Sequence, residues 1–143
     1  MIAVIFIGAL AVISFLDLRH RLIPDAITIP GAVLGVALSF HSTQPTPLDS
    51  ILGFVAGGGA LLVPAIIYRF VTGVEGIGGG DIKLLAMIGT FLGWRAIPSI
   101  MFFGSLGVSV FGMIHLLIHE TDEKYAFPFG AFLCWAAIGH MIF

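Results

Sequence analysis

Charge is what this sequence has least of. Of 143 residues only 10% are Asp, Glu, Lys or Arg, where a soluble domain has about 25%. So few charges cannot build a water-facing surface, and a soluble globular protein is excluded. Hydrophobic residues make up 59% of the chain and the mean hydropathy is +1.13, which describes an integral membrane protein whose partner is the lipid bilayer. A net charge of −2 leaves no basic surface for nucleic acid. The lone cysteine, Cys134, excludes an intrachain disulfide and a multi-cysteine zinc site. It lies in an apolar run and reads as a packing residue. The length leaves room for one domain, residues 1–143.

The charges that do occur fall between apolar runs. Residues 1–16 carry none and lead into Asp17-Leu18-Arg19-His20-Arg21. This segment has no basic leading region and no small-x-small cleavage site, so it reads as a retained first membrane helix. Sixteen residues rise about 24 Å, short of a hydrocarbon core of about 30 Å. Asp17 is therefore expected at the membrane boundary. Pro24 turns the chain and Asp25 can cap a second helix over 26–40. A polar loop, His41 to Pro47, precedes a third helix over 50–68. Its Gly53, Ala56, Gly57, Gly58, Gly59 and Ala60 suit close packing of membrane helices. Thr72 to Gly80 reads as a glycine-rich loop. Further helices are expected from about Asp81 to Trp94, over 97–118 and over 127–143. The expected fold class is all-α, a polytopic membrane protein with six transmembrane helices. Arg19, Arg21, Arg69, Lys83 and Lys124 fall on one side of such a bundle and Arg95 on the other. The positive-inside rule then puts the 1–2, 3–4 and 5–6 loops in the cytoplasm and both termini outside.

The densest functional signal is Gly76-Ile77-Gly78-Gly79-Gly80-Asp81-Ile82-Lys83. An acid and a lysine opening an apolar run are costly in a bilayer and mark a functional candidate. The glycines before them allow another backbone to lie close. A plain loop followed by an Asp helix cap explains the same residues. Lys83 is a candidate for an acidic group on a substrate or for pairing with Glu75, or else an interfacial lysine reaching for water.

Asp17 ends the first helix and Asp81 starts the fourth, with two crossings between them. Both acids are thereby expected on the same face and, since each terminates a short helix, at similar depth. At ~4 Å and an effective dielectric of about 20, two carboxylates repel by roughly 4 kcal/mol. One then stays ionised while the other keeps a proton, the arrangement of an aspartic protease. The pair would titrate as a unit, with neither role assigned to one residue. The competing explanation is two interfacial helix-end acids bonded to backbone.

With those residues in place, the chain resembles the type IV prepilin peptidases, polytopic aspartic peptidases of the GxGD class. Asp17 stands where that family has its first catalytic acid, followed by its proline-acid step, here Ile23-Pro24-Asp25. Gly78-Gly79-Gly80-Asp81 matches GxGD, whose Asp is the second catalytic acid. Glu75-Gly76, Ile82 to Ala86, Gly89, Leu92-Gly93 and Pro128-Phe129-Gly130 look like the rest of the family pattern. The resemblance implies cleavage of the short leader of pilin-like or flagellin-like precursors at the cytoplasmic face of the inner membrane. The expected catalytic residues are Asp17 and Asp81. The expected substrate contacts are Gly78, Gly79, Gly80, Lys83 and Glu75. Long members of the family carry an additional N-terminal region with paired cysteines that supports N-methylation, and this sequence has no such cluster. Peptidase activity without methyltransferase activity is therefore the expectation.

His115 and His119 share a helix face at i, i+4, a metal-like spacing without an evident third ligand, and no metal or cofactor is expected. A small ion-coupled transporter could use the same two acids as ion ligands. Its usual signature, paired broken helices in equivalent halves, is not visible here.

Overall fold

The computed structural model describes residues 2–20, 25–41, 43, 45–73, 79–118 and 129–142. Among these described residues six α-helices follow one another: α1 (Ile2–His20), α2 (Asp25–Ser39), α3 (Pro47–Thr72), α4 (Gly79–Leu92), α5 (Ile97–Ile118) and α6 (Phe129–Ile142). A single 3-10 turn, Trp94–Ala96, joins α4 to α5. The described residues contain no strand, as the all-α expectation requires. Two stretches, Pro47–Thr72 and Trp94–Ile118, are long and apolar enough to cross a membrane. Only 22% and 17% of their most apolar windows are buried within the protein. The core helix of a soluble protein would be mostly covered instead. α2 and α6 are shorter apolar helices.

The chain divides into two compact units, Met1–Leu22 with Ser99–Phe143, and Ile23–Pro98. In the first, α1 packs on α6. Phe6, Leu10 and Ile13 of α1 are buried, as are Ala131, Leu133, Cys134 and Ala137 of α6. Phe6, Leu10 and Ile13 recur at three or four residues, as do Ala131, Cys134 and Ala137, the spacing of one helix face. Cys134 is thus the packing residue its surroundings suggested. α5 meets α6 where Gly104 faces Leu133 and Gly107 faces Phe132.

In the second unit α4 is the central helix. Every residue from Leu84 to Thr90 is buried, because α2 and α3 both pack against it. A helix covered on all sides needs small residues where its neighbours cross. A Cβ on Gly53 would run into the Gly89 carbonyl, and one on Gly89 into the Gly53 carbonyl. One turn on, a Cβ on Gly57 would strike the Leu85 carbonyl. The glycine patch of α3 therefore does bring two backbones into contact, as small-residue membrane interfaces do. Ser50 closes the same seam by donating from Oγ to the Thr90 carbonyl at 2.7 Å. Thr90 in turn donates from Oγ1 to the Met87 carbonyl at 2.6 Å, so these buried hydroxyls are satisfied.

α3 is longer at both ends than the expected 50–68. Thr46 caps it by accepting from the Asp49 N–H at 3.2 Å, and Pro47 occupies the first turn. At the other end Gly73 adopts φ 73° and donates its N–H to the Arg69 carbonyl at 2.8 Å. A residue with a Cβ adopts that left-handed conformation only at a cost, which is why the helix ends at a glycine. α1 likewise runs past residue 16 to His20, and α4 starts at Gly79 instead of Asp81.

Candidate active site

Asp17 lies within α1 and is only 6% exposed. A buried carboxylate needs a hydrogen-bond donor, and α6 supplies one. That helix begins at Phe129, and the backbone N–H of Ala131, in its first turn, donates to Oδ2 of Asp17 at 2.9 Å. The first N–H groups of a helix have no partner within it, and the helix dipole there favours a negative group. One acid thus satisfies an orphan donor while the donor houses the acid. Gly130 and Ala131 are both buried. Their small side chains let the start of α6 approach α1. Ser14, one turn before Asp17, is buried as well.

Asp81 is the third residue of α4 and half-buried. Since the helix already begins at Gly79, Asp81 stands inside the first turn and does not precede it as a cap. An acid in this position interacts favourably with the dipole of its own helix. Gly79 is exposed, and a Cβ there would meet nothing within 4 Å.

Lys83, two residues on, is engaged by Asp25. Its Nζ lies 2.8 Å from Asp25 Oδ2, and the two side chains are 46% and 54% exposed. The contact joins the first residue of α2 to α4 across 58 positions. An ion pair this exposed contributes about 0–1 kcal/mol to stability. Asp25 is the first residue of α2 and not a cap ahead of it, and its carboxylate reaches another helix. Glu75 and Gly78, and with them any pairing of Lys83 with Glu75, lie outside the described residues.

Beside Lys83, the second unit holds an apolar groove of about 930 Å³. Ala32 and Val36 of α2, Phe54 and Gly58 of α3, and Ile82 and Lys83 of α4 line it. Asp17 belongs to the first unit and Asp81, Lys83 and Asp25 to the second. His115 sits beside Phe111 on α5, with ring centroids 6.4 Å apart, and His119 lies outside the described residues. Among the described residues no three His, Cys, Asp or Glu side chains converge. The sequence pointed to neither the Ala131 donor nor the Asp25–Lys83 pair. The first is a backbone group with no residue signature, and the second links two positions that no periodicity relates.

A sequence model of the type IV leader peptidase family matches residues 4–113. Several curated proteins named prepilin leader peptidase/N-methyltransferase are similar. One from Pseudomonas putida is 32% identical over 133 residues, covering 91% of this chain and 46% of that protein. One from Stutzerimonas stutzeri is 34% identical over 134 residues, covering 92% and 46%. One from Xanthomonas campestris pv. campestris is 34% identical over 141 residues, covering 99% and 48%. The chain spans about half the length of the curated relatives it matches. No solved structure matches it significantly.

Proposed function

This chain belongs to the type IV leader peptidase family, and on that premise we propose that it is a membrane aspartic endopeptidase. Its substrates on this reading are prepilin-like or preflagellin-like precursors, from which it removes a short leader at the cytoplasmic face of the inner membrane. The whole chain serves as one peptidase domain whose helices span the bilayer. The observation that carries the reading is Asp17. A carboxylate 6% exposed, preceded in α1 by uncharged residues alone and held by the start of α6, is costly to keep without a task. Asp81, in the first turn of α4 two residues after the exposed Gly79, supplies the second acid. On this reading α2 and α3 each cross the bilayer, which would put both acids on one face.

In the mechanism Asp17 and Asp81 share one proton. The ionised carboxylate takes a proton from water as the water oxygen attacks the scissile carbonyl carbon. The protonated acid gives its proton to the carbonyl oxygen. Collapse of the tetrahedral gem-diol breaks the C–N bond: the leaving amine takes a proton from the acid that received one from water, and a diol hydroxyl gives its proton to the other acid, which leaves a carboxyl terminus and restores the shared proton. The extended segment around the cleavage site lies along Gly78, Gly79 and Gly80, where side chains are absent, with Glu75 near it.

The test is direct. Purified protein in detergent is incubated with prepilin-like precursors and the new N-terminus is read by mass spectrometry. A single cut at the leader junction supports the reading. Intact precursor together with ion flux in liposomes would replace it with the transporter.

A further inference from the structure

We propose that Asp25 and Lys83 form a positioning pair that holds the turn of α4 bearing Asp81. The inference rests on the peptidase reading above.

α2 and α4 are seated firmly toward the far end of α4. A Cβ on Gly31 would run into Met87 Sδ, and one on Gly35 into Thr90 Oγ1. There is no slack between the two helices at those positions. The near end of α4 is built differently. Its first two residues, Gly79 and Gly80, have no side chains to pack, and the run of buried residues starts only at Leu84. Helix ends fray where packing is thin. Asp81 stands between the glycines and that buried run. Here the Lys83 ammonium reaches the carboxylate of Asp25 at 2.8 Å, on the first residue of the neighbouring helix.

With both side chains about half exposed, the pair adds little to global stability. What it fixes is geometry. It joins the start of α2 to a residue less than one helical turn beyond Asp81. A general acid or base must be held to within about half an ångström of its productive position to work at full rate. The pair touches no reacting atom in this scheme and acts through the placement of Asp81.

The test uses the full chain and four variants: Asp25→Asn, Lys83→Gln, the two combined, and the charge exchange Asp25→Lys with Lys83→Asp. Steady-state cleavage of a precursor, thermal melting and amide hydrogen exchange over the 79–84 segment are measured for each. Each single variant is expected to lower kcat roughly 10- to 100-fold, the scale of a misplaced catalytic group. KM stays within about two-fold, the melting temperature is unchanged and exchange over 79–84 quickens. The combined variant is no worse than either single one, and the charge exchange recovers activity. Full activity in the single variants, penalties that multiply in the combined one, or unaltered exchange would overturn the proposal. A rise in KM alone that the exchange does not repair would also overturn it, by making Lys83 a substrate contact. If the wild-type chain cut no precursor, the peptidase reading would fall, and the exchange rates would still decide whether the pair pins the turn.

Discussion

The backbone N–H of Ala131 donates to the buried carboxylate of Asp17 at 2.9 Å, across 114 residues of sequence. This one bond says what the start of α6 is for. Phe129, Gly130 and Ala131 deliver a helix N-terminus to a buried acid. Ala131→Pro removes that donor at a position where a proline is compatible with the helix. A hydrogen bond to a charged group contributes about 1.5–3 kcal/mol. Loss of stability on that scale is expected in thermal melts, together with weakened cleavage. Ala131→Gly keeps the N–H and should retain activity. Equal behaviour of the two variants would show that the bond does not matter.

The glycines of α3 divide into two kinds, and their variants should too. Gly53 and Gly57 face the backbone of α4, so Gly53→Ala must push two helices apart. Overpacking of this sort costs about 1–3 kcal/mol. Gly59 has nothing within 4 Å of the place a Cβ would occupy. Gly59→Ala should be neutral or stabilise by up to about 1 kcal/mol, by restricting the unfolded chain. Melting curves in detergent check both.

A shared proton fixes the shape of the pH profile. At low pH both acids are protonated and no base remains to activate water. At high pH both are ionised and no acid remains to protonate the carbonyl oxygen. The rate of cleavage should therefore pass through a maximum and fall on either side. A profile that rises to a plateau at high pH would mean that one base suffices.

Much of this architecture was legible in the sequence because it rests on local signals. Apolar runs broken by charges gave six helices in the right order, and α5 lies where its pattern placed it, over Ile97–Ile118. The ends were read less well. α3 extends to Pro47 and Thr72 through a Thr-Pro start and a Gly stop, signals that were present but absorbed into loops. Gly79 and Gly80 read as loop because glycine disfavours helices. They are helical because the buried run that begins at Leu84 fixes α4 and the first turn continues it. The site was half legible. Asp17 and Asp81 stand out as acids in apolar segments, whereas their supports do not. Ala131 contributes only a backbone group. Asp25 and Lys83 meet because α2 happens to cross α4 at that height, a tertiary event with no local pattern.

The central claim is that Asp17 and Asp81 act together on one peptide bond. Asparagine preserves the shape of each side chain and, at position 17, an oxygen able to accept from Ala131. The variants should therefore remain folded. The decisive measurement is the rate of leader removal from a prepilin-like precursor by the wild type, Asp17→Asn and Asp81→Asn, at matched melting temperatures. A fall of about 10²- to 10⁴-fold in each variant is the expected result, with a double variant no slower than the singles. Undiminished cleavage by either one would contradict the account.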